Sequence, residues 1–132
     1  MRRVLVVDAD APTRALAERV LSGTAAAVTA TASLAGVPAT ATFDAAVVDE
    51  VAGAGAVLAE LATARERWPT LPIVLTGTLL SPKVLVEAIR LGVVDALAKP
   101  FLPDELRAAP ARALAATPRR AEALELDAAL AQ

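Results

Sequence analysis

Cysteine and histidine are both missing from the 132 residues of this chain. The first absence excludes disulfides, thiolate metal sites and cysteine nucleophiles. The second excludes Ser-His-Asp triads, histidine-ligated zinc and any histidine that would donate a phosphoryl group. Aromatic residues make up only 2% of the chain beside abundant alanine, a pattern of GC-rich coding bias from which no function is read. Long apolar runs are lacking too. The small-residue stretch over 51–64 is interrupted by Glu60 and falls short of the about 20 residues that a membrane span needs. The four apolar residues after Met1-Arg2-Arg3 are too few for a signal peptide. A net charge of −2 gives no electrostatic case for nucleic-acid binding. These absences predict a soluble cytoplasmic protein, and the length suits one domain that buries roughly two-thirds of its unfolded surface.

What the chain does have is four short apolar runs, each ending on a residue able to handle phosphate. Val4-Leu5-Val6-Val7 stops at Asp8, Ala45-Ala46-Val47-Val48 at Asp49, and Ile73-Val74-Leu75 at Thr76, while the run over 93–98 leads into Lys99-Pro100. Val4 to Val7 is an unbroken run of the kind expected for a strand covered on both faces, and the others, mostly apolar, predict parallel strands beside it. A weaker strand is expected over 26–31. Between the strands lie helix signals: Asp10 as N-cap with Pro12 in the first turn and Gly23 as stop, and Ser81-Pro82 as N-cap and N1 with Gly92 as stop. Leu85, Ala88 and Ile89 are expected to face inward on the second of these. A helix is expected over about 56–67 after the glycine-rich 51–55 loop, and one begins near Pro103-Asp104-Glu105. The segment 33–42, with Gly36 and Pro38, has room only for a short, poorly formed helix. Arg14, Arg65, Arg67 and Arg90 read as solvated helix faces, Glu50 as a solvent-exposed neighbour, and Trp68 as a packing anchor. Pro110 should disturb the last helix, and Thr117-Pro118 looks like a fresh helix start carrying Ala121, Leu124, Leu126 and Leu130.

Strands alternating with helices imply right-handed crossovers and a three-layer α/β domain. In such open sheets ligands bind outside the carboxyl ends of the strands, where Asp8, Asp49, Thr76 and Lys99 would meet. Taken singly, each has a plain structural reading as a cap, a turn residue or a solvated strand end. Their agreement favours a shared site.

Over about residues 1–116 the chain resembles the receiver domain of two-component response regulators. The likeness is carried by the stretches 4–14, 43–49, 71–77 and 98–101, in that order and at those strand ends. It implies a flavodoxin-like (βα)5 fold with parallel strand order 2-1-3-4-5, and residues 117–132 as a helical tail, linker or dimer contact. It also implies that Asp49 is a phosphoacceptor, that Thr76 and Lys99 contact the phosphoryl group, and that Asp8, Asp49 and the Val51 carbonyl hold Mg²⁺. The partners implied are a sensor histidine kinase or phosphotransfer protein, and an effector or output domain on the face of helix four, strand five and helix five, near Lys83, Glu87 and Arg90. A homodimer is a further use of the chain's surface, and neither nucleic acid nor membrane is expected as a partner. Such a domain is a signalling module rather than an enzyme.

Three departures stand out. Ala9 replaces the family's second acidic residue after strand one, Ala96 replaces the switch aromatic, and the loop after Asp49 lacks the usual Met-Pro-Gly segment. They predict weakened Mg²⁺ binding, and either slow phosphorylation or a pseudo-receiver that signals by binding alone. Two other readings compete with this one. Asp8-Ala9-Asp10 resembles the opening of haloacid-dehalogenase-type phosphatases, with Asp8 as nucleophile, but no later acidic pair follows and Asp49 is left idle. A nucleotide- or flavin-binding domain would want a glycine-rich loop after strand one, where this chain is acidic.

Overall fold

The computed structural model describes residues 2–24, 26–51 and 57–130, with side chains as far as residue 116. The elements in order are β1 (Arg3–Val7), α1 (Ala11–Ser22), β2 (Ala27–Thr31), a 3₁₀ turn (Leu34–Gly36), β3 (Ala45–Asp49), α2 (Val57–Arg67), β4 (Ile73–Gly77), α3 (Pro82–Arg90), β5 (Val93–Ala98) and α4 (Pro103–Leu130). All four strand pairings are parallel, and the sheet order is β2-β1-β3-β4-β5, as the resemblance implied. Among the described residues no helix is long and apolar enough to cross a membrane.

Alternation along the strands sends successive side chains to opposite faces and so builds two cores. Leu5, Val7, Ala46, Val48, Ile73 and Leu75 pack under α2, with Val57, Leu61 and Ala64. Val4, Val6, Val47 and Val74 pack under α1 and α4, with Ala17, Leu21, Leu106, Ala109 and Ala113. β3 and β4 are buried along their whole lengths, which explains why their sequences carry no polar residue before Asp49 and Thr76.

Between β2 and β3 the expected short helix is a single 3₁₀ turn. Two side chains of α2 hold it in place. The Glu60 carboxylate accepts the Leu34 N–H at 3.0 Å. Seven residues on, Arg67 donates to the carbonyls of Leu34, Val37 and Pro38 at 3.2, 3.0 and 2.7 Å. The same guanidinium lies over the Trp68 ring, 4.4 Å from its centroid. Trp68 donates its indole N–H to Ala41 and meets Phe43 edge-on, so it is the packing anchor its sequence position suggested.

Arg65 and Arg67 are therefore half-buried and engaged with backbone rather than lying free on a solvated face. Arg65 donates to the carbonyls of Leu91, Trp68, Pro69, Leu71 and Gly92 at 2.8–3.3 Å, joining the turn before β4 to the turn before β5. Five irregular carbonyls receive from one planar fork of donors the bonds that a regular element would supply.

Two other expectations change. α3 is rotated so that Val84 and Ala88 centre its buried line, with Leu85 beside them, and Ile89 is left 64% exposed. α4 runs unbroken through Pro110 and Pro118 for 28 residues, about 42 Å at 1.5 Å per residue. Pro110 removes one ladder bond, but Leu106 and Ala109 on one side and Ala113 on the other are fully buried, so packing clamps the helix across the gap. The segment 52–56 and the side chains of the 117–130 stripe lie outside the described residues.

Replacing Arg65 by Ala strands several partly buried carbonyls at once. It should cost about 2–3 kcal/mol in urea unfolding, with an unchanged slope. Arg90→Ala, which loses only an exposed pair with Glu87, should stay within about 0.5 kcal/mol.

Candidate functional site

The sheet's register brings the strand ends together. Asp49 lies beside Thr76 across β3 and β4, and Gly77 beside Ala98 across β4 and β5, so Lys99 leaves the sheet one step beyond. Asp8 follows β1 and anchors its N–H to the Thr31 carbonyl. Asp8, Asp49 and Thr76 are only 4%, 3% and 2% exposed.

The Lys99 ammonium sits between the two carboxylates, 2.9 Å from Asp8 Oδ2 and 2.8 Å from Asp49 Oδ1. Thr76 Oγ1 donates to the same Asp49 oxygen at 2.7 Å. The remaining oxygens are held by backbone: Asp8 Oδ1 accepts the Asp10 N–H and Asp49 Oδ2 accepts the Val51 N–H, both at 2.9 Å. Burial alone would lower the Lys99 pKa, but the hydrogen bonds and charges of Asp49 and Asp8 outweigh it, so the ammonium is held above its ordinary value. The structure brings Asp8, Asp49, Thr76 and Lys99 together in one hydrogen-bonded cluster.

Several neighbours have defined places. Asp10 turns away from the site and caps α1, accepting from the Thr13 N–H and hydroxyl, and these bonds lower its pKa. Arg14 is not a solvated residue: it donates to the Asp8 carbonyl at 2.8 Å and steadies the end of β1. The Val51 carbonyl accepts the Ala9 N–H at 2.9 Å. Ala96 is exposed on β5. Glu50, read from the sequence as a bystander, accepts two backbone N–H groups of the β4–α3 loop. Nothing in its local pattern marks this, although the small Gly77 beside Thr76 is the one hint that another chain passes there. An open cleft of about 360 Å³, lined by Thr13, Leu16, Thr78, Lys99, Pro100 and Phe101, borders the site. The Lys99–Pro100 peptide in its wall is cis.

No protein-family model matches the sequence, and no curated protein matches it either. Solved structures do. A CheY-like response regulator receiver domain protein from Methanospirillum hungatei is 19% identical with a TM-score of 0.82, over 91% of this chain and 98% of that one. The chain has the fold of response regulator receiver domains. The receiver domain of DrrB, in a BeF3-activated form, is 21% identical with a TM-score of 0.76, over 86% of this chain and 97% of that one. NtrX from Brucella abortus, in complex with ADP, is 27% identical with a TM-score of 0.78 over 95% of this chain. This chain spans only 30% of NtrX.

Within this receiver fold the donor set can be tested against Mg²⁺. Among the described residues no group of three or more acidic side chains gathers. Asp8 and Asp49 face one another through Lys99, each with lone pairs beyond its present bonds, and the Val51 carbonyl has a second lone pair. Mg²⁺ characteristically takes one or two carboxylates and keeps several waters, so these residues fit the ion as a weak site. The ammonium already neutralises much of the charge that would attract it.

Lys99→Met should leave two buried carboxylates without their cation and cost about 3 kcal/mol near neutral pH. A lysine whose pKa is raised by folding contributes fully below its unfolded value, about 10.4, and loses that contribution as pH rises through the folded one. The gap between wild type and Lys99→Met in denaturant unfolding should therefore stay level through neutrality and close only in the alkaline range above about 10.4.

Proposed function

We propose that this chain is a phosphoacceptor module of two-component signalling, with Asp49 as the residue that receives the phosphoryl group. The observation that carries the reading is the single hydrogen-bonded cluster Lys99–Asp49–Thr76, with Asp8 on the other side of the ammonium. In the transfer, an Asp49 carboxylate oxygen attacks phosphorus while the bond from phosphorus to the donor's nitrogen or acyl oxygen breaks. The donor group leaves with the electron pair. Lys99 is placed to offset charge on the phosphoryl oxygens, and Thr76 to donate its hydroxyl to one of them. Asp8, Asp49 and Val51 would hold Mg²⁺, which when bound supplies further neutralisation of those oxygens.

The phosphoryl donor in this reading is a sensor histidine kinase or phosphotransfer protein in the cytoplasm. The effector face is formed by α3, β5 and α4, where Val86 and Ile89 are exposed. In this reading residues 1–116 form the receiver unit and 117–132 a tail or linker, into which α4 runs as far as Leu130. The chain acts by being modified and bound rather than by turning over a substrate.

Two observations favour a second reading, a pseudo-receiver that signals by binding alone. Ala9 offers no carboxylate and its N–H occupies the Val51 carbonyl, and Ala96 offers no ring to reorient.

Incubation with Mg²⁺ and acetyl phosphate or beryllofluoride, read by intact mass and NMR, separates the readings. An adduct lost in Asp49→Asn is expected. Loss in Asp8→Asn with retention in Asp49→Asn would instead point to a phosphatase-type nucleophile, and no adduct in a folded protein would establish the pseudo-receiver. Ala9→Asp restores a carboxylate beside Asp8 and should tighten Mg²⁺ by on the order of tenfold in a metal titration.

A further inference from the structure

Glu50 holds the segment 76–79 from both its ends. Its backbone N–H donates to the Thr76 carbonyl at 2.8 Å. Its side-chain Oε1 accepts the N–H groups of Thr78 and Leu79 at 2.7 and 3.2 Å. A carboxylate acceptor makes such bonds stronger than a neutral one would.

Gly77 gives this side chain its passage. A Cβ at that position would stand 2.6 Å from Glu50 Cδ, 2.8 Å from its Oε2 and 2.7 Å from Leu80 Cδ2. The first of these distances is well inside carbon–carbon contact, so the glutamate lies where any larger residue at position 77 would push it out.

The bracketed segment carries much of the site. Thr76 places its hydroxyl on Asp49 Oδ1, and the Gly77 carbonyl accepts the Lys99 N–H at 2.8 Å. Thr78 lines the adjoining cleft. We propose that Glu50 is a positioning residue that fixes the 76–79 segment, and through it Thr76 and Lys99, against Asp49, with Gly77 as the matched half of the same device. The consequence for phosphoryl transfer rests on the receiver reading, whereas the clasp itself does not.

The test uses the full chain as wild type, Glu50→Ala, Glu50→Gln, Gly77→Ala and the Glu50→Ala/Gly77→Ala double variant. Amide hydrogen exchange is measured by NMR against each variant's unfolded-chain rates, and the rate of beryllofluoride uptake is measured in parallel. Glu50→Ala and Gly77→Ala should each speed exchange at Thr78 and Leu79 about tenfold, equivalent to one charge-assisted hydrogen bond, while Leu5 and Val47 stay protected. The double variant should exchange no faster than either single one, because each removes the same contact. Glu50→Gln, which keeps an acceptor oxygen, should recover most of the protection. Beryllofluoride uptake should slow in the Ala variants and recover in Glu50→Gln.

Wild-type exchange in Glu50→Ala, or additive effects in the double variant, would overturn the proposal. So would faster exchange with unchanged uptake, which would reduce Glu50 to a loop cap. If Glu50→Ala does not fold, Gly77→Ala and Glu50→Gln decide the matter by the same criteria. If wild type takes up no beryllofluoride, the phosphoacceptor reading fails, and the exchange pattern alone decides the clasp.

Discussion

One ammonium between two buried carboxylates sets the terms for everything around it. Asp8 and Asp49 leave β1 and β3 on the same edge, and like charges so placed in a poorly hydrated pocket would repel. Lys99 arrives from β5, two strands beyond β3, and bonds to both. That geometry holds only while β4 keeps its register against both neighbours, since Thr76 and Gly77 carry the contacts that place Asp49 and Lys99. The two apolar cores on either side of the sheet are what keep the register. A slip of one residue in β4 would send Ile73 and Leu75 to the wrong face and separate the charges together.

The sequence made this edge legible because its signal is local. A buried parallel strand reads as an unbroken apolar run, so the first polar residue after it marks both the strand's end and its position on the binding edge. Asp8, Asp49 and Thr76 could be found that way, Lys99 by its place after the mostly apolar 93–98 run, and the capping residues Asp10 and Ser81 by similar short-range chemistry. What could not be read was long-range. Arg65 and Arg67 look like any basic residues at a helix end, and their partners are backbone carbonyls up to 33 residues away. Pro110 carries a helix-breaking signal that the burial of Leu106, Ala109 and Ala113 overrides. Ile89 was misplaced because a four-residue spacing fixes the stripe's period but not its rotation, and here Val84 and Ala88 took the centre.

The missing helix between β2 and β3 shows how the fold tolerates loss. Without a regular element, the backbone from Leu34 to Pro38 has donors and acceptors that need partners near a buried core. Glu60 and Arg67, seven residues apart, supply them from one face of α2, and Trp68 with Phe43 fills the adjoining volume. Charged side chains do the work of backbone pairing there.

Nearer that site the same substitution of side chain for main chain takes a different form. Ala9 and Ala96 each lack a group that the receiver pattern leads one to expect, one acidic and one aromatic, and Gly77 lacks any side chain at all. The space above Gly77 is filled by a neighbour, and that neighbour is charged. The result is a β4–α3 loop fastened to the residue next to Asp49 by the protein's own carboxylate. A loop held in this way already has its Thr78 and Leu79 N–H donors engaged, so a phosphoryl group on Asp49 would have less freedom left to remove from it. Signal transmission through loop ordering requires a difference in free energy between two states, and a clasp that favours one of them beforehand narrows that difference. On the phosphoacceptor reading, the physical tension in this chain therefore lies between a charge cluster that would receive a phosphoryl group and a neighbouring loop already fixed without one.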